Sequence, residues 1–243
     1  MEMKQGVLVN GEFEERETEL MNAKGFKSPM FGRVDTYDHY VMKEINRSYG
    51  QLDVEGRVVL DIGANIGCFS CWALERNPLH VISIEPEKNN FKMLSFNMST
   101  HVDIGLPETP YSLHHRGLTS DDEIPGILWL STTGKNPGNS STTQRRGRVP
   151  VNIFMMPVKE LKEKHPVIDV AKVDCEGAEF DFMEELVLAY PNMKEVALEI
   201  HMSGFGLEPA EKLHQFMLEQ GFDAVVPPRI QEGLWQTLAT YKR

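Results

Sequence analysis

Cysteine, long apolar runs and positive charge are all scarce in this sequence of 243 residues. Three cysteines are present, an odd number that does not indicate a disulfide framework. No apolar run approaches the ~20 residues of a membrane-spanning helix. The first residues, Met1–Gly6, lack the apolar region of a secretory signal. These absences predict a reducing, cytoplasmic setting and no membrane span.

The charge balance argues against one class of partner. Asp and Glu number 36 against 25 Lys and Arg, which gives a formal net charge of -11. A surface this acidic repels phosphate backbones, so we do not expect nucleic acid as a partner. The hydrophobic content of 41% is enough for the core of one domain, with or without additions.

Two phosphate-binding motifs are also missing. The segment Asp61-x-Gly63-x-Asn65-x-Gly67 differs from the Gly-x-Gly-x-x-Gly of dinucleotide sites, because Asn65 stands where the second glycine would be. The sequence has no P-loop lysine followed by Ser or Thr either. In addition, an acid at this point would repel phosphates. A pyrophosphate ligand is therefore disfavoured, and an NAD-dependent oxidoreductase is kept only as an alternative.

The same segment indicates a pocket of another kind. It follows the apolar run Val58–Leu60 and precedes a predicted helix that begins near Phe69. The order predicts a buried strand, a glycine turn and a helix. Glycine lets the backbone approach a ligand closely, and a helix N-terminus presents free N–H groups. Such turns form ligand pockets at the carboxyl ends of parallel strands.

A second acid, Glu85, ends the next apolar run, Val81–Ile84, and is followed by Pro86. Its spacing of about 20 residues from the glycine turn is typical of an acid that binds a ribose. S-adenosylmethionine carries an ammonium, a sulfonium and a ribose but no phosphate. It therefore suits both acids, with Asp61 near the methionine amine and Glu85 on the ribose hydroxyls.

Strands and helices are predicted to alternate along most of the chain. This alternation predicts an α/β fold with a doubly wound, mostly parallel sheet. Residues 1–50 are predicted to form a helical or irregular cap, and residues 51–243 the main domain. The turn-rich stretch at about 103–150 is predicted to be a polar insertion over the ligand face. Phe222–Val226 and Leu234–Thr240 are predicted to be a closing strand pair.

The sequence resembles the FkbM family of class I methyltransferases. The resemblance rests on four segments: Asp61–Gly67, Ser83–Glu87 with Asn97 downstream, Ala171–Glu179 and Glu199–His201. It implies a seven-stranded, Rossmann-like methyltransferase sheet with an antiparallel C-terminal strand. It also implies dependence on S-adenosylmethionine and methylation of a hydroxyl oxygen on a small-molecule or saccharide acceptor.

The resemblance also implies which residues bind the cofactor. Asp61, Gly63, Asn65 and Gly67 would line its methionine end, and Glu85 would hold the ribose. Pro86, which follows Glu85, would also bind the cofactor. Gly117 and Leu118 fall where such enzymes contact the adenine. Asp174, at the end of a later strand, would lie at the mouth of the site.

Three titratable residues are predicted at the ends of adjacent strands: Asp174, Glu176 and His201. Methyl transfer needs an aligned acceptor and a group that takes its proton. We predict that one of the three is the base or the substrate anchor, and His201 fits the base best by its intrinsic pKa. Alternatively, Asp174 and Glu176 only cap the following helix, and His201 is an ordinary edge histidine.

Other interpretations of these segments stay open. Asp174, Glu199 and His201 would also suit a divalent ion, although we predict no metal, because a buried carboxylate paired with backbone is commoner. The basic segment Arg145–Arg148 is either a solvated loop or a grip on an anionic substrate group. A nucleotide or nucleic-acid methyltransferase and a non-catalytic binding module are the remaining functional alternatives.

Overall fold

Strands and helices alternate over most of the computed structural model, which describes residues 4–9, 12–101, 110–120, 126–132, 134–135, 140–141 and 148–243. The first part of the chain contains β1 (Lys4–Val9), β2 (Glu12–Met21), β3 (Met30–Arg33), α1 (Asp38–Tyr49), β4 (Val58–Ile62), α2 (Cys68–Leu74), β5 (His80–Ile84) and α3 (Lys88–His101). The middle contains β6 (Tyr111–His114), β7 (Gly117–Thr119), β8 (Gly126–Leu130), β9 (Val149–Ile153), β10 (Met155–Pro157) and α4 (Val158–Lys164). The last part contains β11 (Val170–Val173), α5 (Glu179–Ala189), β12 (Glu195–His201), α6 (Leu207–Glu219), β13 (Asp223–Val226) and β14 (Gln236–Lys242).

A seven-stranded sheet with the order β13-β14-β12-β11-β4-β5-β6 organises these elements. The pairs from β12 to β6 are parallel, whereas β14 is antiparallel to both of its neighbours. The predicted α/β fold class and the reversed strand at the C-terminus are therefore confirmed, and the sheet as a whole is mixed. Short crossovers through helices bring the carboxyl ends of β4, β5, β11 and β12 to one edge.

Two apolar clusters cover the two faces of the sheet. Side chains alternate along a strand, so in β4 Val59 enters one cluster and Leu60 the other. The cluster with Val59 contains buried residues of α1, α2 and α3. The cluster with Leu60 contains those of α4, α5 and α6. Among the described residues, no helix combines the length and apolar character that a membrane span requires.

The N-terminal segment differs from the predicted helical or irregular cap. Helix α1 is present, but β1, β2 and β3 precede it as a three-stranded antiparallel sheet. Strand β2 is rich in glutamate, and its described side chains are mostly exposed or half-buried. A strand with so few buried positions has no alternation of apolar and polar residues to reveal it. The division into a cap and a main domain stays a prediction.

A buried ion pair fixes β3 against α1. The Arg33 guanidinium donates to both carboxylate oxygens of Asp38 at 2.8 and 2.9 Å, and both side chains are at most 2% exposed. Arg33 also donates to Asn90 of α3. Asn97 of α3 accepts from the Phe31 N–H and donates to the Ile66 carbonyl in the glycine turn. The N-terminal segment is thus attached to the same helix that supports the turn.

We predict that Asp38→Asn lowers the free energy of unfolding by about 3–5 kcal/mol, because it leaves the Arg33 charge buried without its partner. Urea denaturation followed by circular dichroism measures the change. The matched control is Glu208→Gln, which breaks an exposed pair with Lys212 and should leave the midpoint unchanged. An unchanged midpoint for Asp38→Asn would show that the buried pair does not stabilise this junction.

Candidate active site

A cavity of about 300 Å³ opens at the carboxyl ends of β4, β5, β11 and β12. Its size is at the lower end of the range for small-molecule sites. Eight of the predicted site residues line it: Gly63, Asn65, Glu85, Pro86, Gly117, Leu118, Asp174 and Glu176. Three predicted residues, Asp61, Gly67 and His201, do not line it.

The glycine turn fits closely between two strand ends. Gly63 has φ of +74°, and a Cβ there would overlap the Asp174 carbonyl at the end of β11. On the other side, the N–H groups of Gly63 and Ala64 both donate to the Ile84 carbonyl of β5 at 3.0 Å. Asn65 also has a positive φ, of +51°, which asparagine tolerates better than most residues. The turn therefore requires glycine at position 63.

Gly67 serves packing instead of lining the cavity. It is the N-cap of α2 with φ of +92°, and a Cβ there would lie 2.9 Å from the Leu94 side chain of α3. A larger residue would push α2 away from α3. Its predicted contact with the cofactor is therefore replaced by a role in supporting the helix that follows the turn.

Asp61 lies beneath the glycine turn and is fully buried. One carboxylate oxygen accepts from the Ser70 hydroxyl at 2.6 Å, and the other lies 3.1 Å from the Lys172 ammonium. Lys172 also donates to the Gly63 carbonyl at 2.8 Å. The carboxylate of Asp61 is thus engaged below the cavity, and its predicted position beside the methionine amine stays a prediction.

Lys172 is a cavity residue that our sequence reasoning did not select. It faces Asp61 across paired strands β11 and β4. Burial by itself lowers the pKa of Lys172, but the charges of Asp61 and Asp174 outweigh burial and raise this pKa above its ordinary value. The available signal was a lysine inside the apolar run of β11, since a buried charge needs a partner.

Glu85 ends β5 at the cavity wall. Its two carboxylate oxygens accept from the backbone N–H groups of Asn65 and Glu87, both at 2.8 Å. Burial raises the pKa of Glu85 to about 7, although these hydrogen bonds oppose the shift. Each oxygen keeps a lone pair for a further donor, so the carboxylate is held in place and can still accept from a ligand hydroxyl.

His201 is behind the cavity wall and 2% exposed. Its ring atom Nδ1 lies 3.1 Å from the buried carboxylate of Glu179. The same carboxylate accepts a hydrogen bond from the backbone N–H of His201 at 2.7 Å. Burial lowers the pKa of His201, but Glu179, Asp174 and Glu176 together raise it to about 9. These carboxylates favour the protonated imidazole, and the role of His201 as the base stays a prediction.

Asp174, Glu176 and Glu199 form the acidic side of the cavity. Burial and the Asp174 charge raise the pKa of Glu199 to about 8. Glu176 has φ of +54°, a costly backbone conformation for glutamate that is typical of functional sites. The alternative that Asp174 or Glu176 caps α5 is not observed, since Ala178 is the N-cap and the helix has no side-chain cap hydrogen bond.

Helix α1, in the segment predicted to be a cap, closes one side of the cavity. This wall includes Val41, Glu44, Ile45, Ser48 and Tyr49.

Of the basic segment 145–148, residues 145–147 lie outside the described residues. Arg148 donates to the Trp129 carbonyl at 3.3 Å, so its proposed grip on an anionic substrate stays a prediction.

The sequence matches one family model, described as the Methyltransferase FkbM domain, over residues 61–224. This match covers more than half of the 243 residues and spans the glycine turn, Glu85, Asp174 and His201. No curated protein matches the sequence.

Three solved structures illustrate the similarity in fold. Methyltransferase FkbM from Methylobacillus flagellatus KT has a TM-score of 0.52 at 14% identity, over 85% of this chain and 46% of that one. Trm5b from Pyrococcus abyssi has a TM-score of 0.55 at 12% identity, over 99% and 63%. SMU.776 complexed with SAH has a TM-score of 0.50 at 10% identity, over 99% and 56%. This chain thus spans less than two thirds of each of them.

We predict that Lys172→Met lowers the free energy of unfolding by about 3–5 kcal/mol, because it leaves the Asp61 carboxylate buried without a counter-charge. The double variant Lys172→Met with Asp61→Asn should recover most of that loss, since neither charge remains. Urea denaturation of the two variants and the wild type tests this. Wild-type stability in the single variant, or no recovery in the double one, would contradict the pairing.

Proposed function

Because the chain belongs to the Methyltransferase FkbM domain family, we propose that it is an S-adenosylmethionine-dependent methyltransferase that acts on a hydroxyl oxygen of a small-molecule or saccharide acceptor. The family match identifies a methyltransferase, and the structure shows its α/β fold. The cofactor, the doubly wound Rossmann-like arrangement and the acceptor class are the proposed part.

The charge of the cavity is the observation that carries this proposal. Its lining includes five acidic side chains: Glu44, Glu85, Asp174, Glu176 and Glu199. Lys172, the one lysine among the described lining residues, lies 3.1 Å from an Asp61 oxygen below the cavity and 3.8 Å from an Asp174 oxygen. Burial raises the pKa of Glu85 to about 7, and burial with the Asp174 charge raises that of Glu199 to about 8. A cation bound beside these acids would favour their carboxylate forms, whereas a pyrophosphate would oppose them. The lining therefore disfavours a pyrophosphate and favours a ligand with an ammonium and a sulfonium. The SAH found in SMU.776, which has a similar fold, supports the same choice.

Each part of the cofactor has residues suited to it. Glu85 would accept from the ribose hydroxyls, and Pro86, Gly117 and Leu118 would surround the adenine. Gly63, Asn65 and Asp174 would lie at the methionine end. Asp61 and Gly67 act from outside the cavity, the first through Lys172 and the second through the packing of α2.

Methyl transfer to a hydroxyl is an in-line displacement. The acceptor oxygen forms a bond to the methyl carbon, the carbon–sulfur bond breaks with its electrons on sulfur, and the hydroxyl proton moves to a base. We assign the positioning of the acceptor and the acceptance of its proton to Asp174 and Glu176, which line the cavity. His201 lies behind them, with its Nε2 3.9 Å from an Asp174 oxygen and 3.8 Å from a Glu176 oxygen.

The alternative acceptors and cofactors have weaker support. A nucleotide or nucleic-acid acceptor would bring phosphates toward an acidic cavity on a chain of net charge -11. An NAD-dependent oxidoreductase would place a pyrophosphate beside Glu85 and Asp174, and it does not agree with the family. The hydroxyl acceptor therefore remains our proposal.

We predict that isothermal titration with SAH shows micromolar-range binding by the wild type and about tenfold weaker binding by Glu85→Gln, which removes a charged acceptor for the ribose hydroxyls. The control is Glu184→Gln, an exposed position on α5, which should bind SAH as the wild type does. No heat with folded wild-type protein would refute the cofactor assignment, and equal affinity of Glu85→Gln would refute the ribose contact.

The affinity for SAH should also depend on pH through Glu85. Its pKa is raised to about 7, and only the carboxylate accepts from both ribose hydroxyls, so binding favours the deprotonated form. The affinity should therefore rise about tenfold between pH 6 and pH 8. Glu85→Gln, measured by the same titrations, should lose this component of the pH dependence. If the affinity of Glu85→Gln for SAH changed with pH as that of the wild type does, the pH dependence would belong to another group.

A further inference from the structure

The carboxyl ends of β11 and β12 bring two carboxylates and one imidazole to a single point beside the cavity. We propose that Asp174, Glu199 and His201 form a binding site for one divalent transition-metal ion. The binding of the ion is independent of the proposed function, whereas its role in methyl transfer rests on that function.

The geometry of the three side chains is the first argument. One ligand atom from each residue lies within 4.8 Å of the others. Asp174 directly follows β11, and Glu199 and His201 are two residues apart in the neighbouring strand β12. Residues two apart share a face of a strand, so both side chains point toward Asp174. The parallel pairing of the two strands thus assembles the cluster.

The second and independent argument is the Nε2 atom of His201. The residue is 2% exposed, and among the described residues this atom has no hydrogen-bond partner. It lies 3.9 Å from an Asp174 oxygen and 3.8 Å from a Glu176 oxygen. These separations are too long for hydrogen bonds. They suit two atoms bound to one ion, since bonds of about 2.0–2.2 Å hold neighbouring ligand atoms about 3–4 Å apart.

The other nitrogen of His201 is held as in known metal sites. Nδ1 lies 3.1 Å from the Glu179 carboxylate, which is itself fully buried and accepts the Gly177 N–H at 2.9 Å. A histidine that binds a metal commonly donates its second ring N–H to a carboxylate, which orients the ring. Here Glu179 directs the His201 Nε2 atom toward Asp174. An ion between Nε2 and Asp174 would take the place of the proton on Nε2.

The ligand set indicates the class of ion. Two carboxylates favour a hard cation, and an imidazole shifts the preference from Mg²⁺ or Ca²⁺ toward Mn²⁺, Fe²⁺ or Zn²⁺. Asp174 and Glu199 also line the cavity, so the remaining coordination positions would face the space assigned to the acceptor. An ion there would bind the acceptor oxygen and make its hydroxyl more acidic.

Titration of chelator-treated protein with MnCl₂, followed by the electron paramagnetic resonance signal of free Mn²⁺, tests the site. The wild type should bind one Mn²⁺ per chain. Asp174→Asn and Glu199→Gln, which keep the side-chain shapes, should each weaken binding by at least about tenfold. Glu184→Gln, at an exposed position outside the cluster, should bind as the wild type does.

Two outcomes would overturn the proposal. The first is a folded wild type that binds neither Mn²⁺ nor Zn²⁺, the latter measured by a parallel calorimetric titration. The second is Mn²⁺ binding by the Asp174→Asn, Glu199→Gln double variant that equals binding by the wild type. Circular dichroism establishes that each variant is folded. SAH titrations of the same preparations separate the two hypotheses. Binding of SAH without Mn²⁺ removes the metal site alone, and binding of Mn²⁺ without SAH removes the cofactor assignment alone.

Discussion

The buried ion pair between Asp61 and Lys172 supports the whole candidate site. The two residues face each other on paired strands, and neither has more than 4% of its surface exposed. Two charges without water are costly unless they meet each other and further polar groups. Here Ser70 donates to Asp61, and Lys172 donates to the Gly63 carbonyl. The pair thus connects the middle of the sheet to the turn that forms the floor of the cavity.

The pairing also determines the charge that a ligand meets. Lys172 lies 3.1 Å from an Asp61 oxygen below the turn and 3.8 Å from an Asp174 oxygen at the cavity. Among the described lining residues, the one lysine is therefore already paired with carboxylates. Lining acids from α1, β5, β11 and β12 then give the cavity a negative character. Burial and the Asp174 charge raise the pKa of Glu199, whereas Glu179, Asp174 and Glu176 raise the pKa of His201 against the effect of burial.

Local sequence patterns predicted most of the cavity lining but not the partners of its buried charges. Gly63, Asn65, Glu85 and Asp174 were found because strand ends and turns leave local signals, such as an apolar run followed by an acid or a glycine. The base role of His201 stays a prediction that used the intrinsic pKa of histidine. In the structure, Glu179 raises the pKa of His201 against the effect of burial. Glu179 lies 22 positions away in the chain and reaches His201 only through the packing of α5 on the sheet.

Local patterns were therefore sufficient for the fold class, the order of the main strands and the turn that shapes the cavity, since these depend on neighbouring residues and on the period of the side chains. The partner of each buried charge depended on the three-dimensional structure. Lys172 meets Asp61, and Arg33 meets Asp38 and Asn90, through contacts that link distant parts of the chain. The free energy of a buried charge depends on these neighbours, and only the folded chain brings them together.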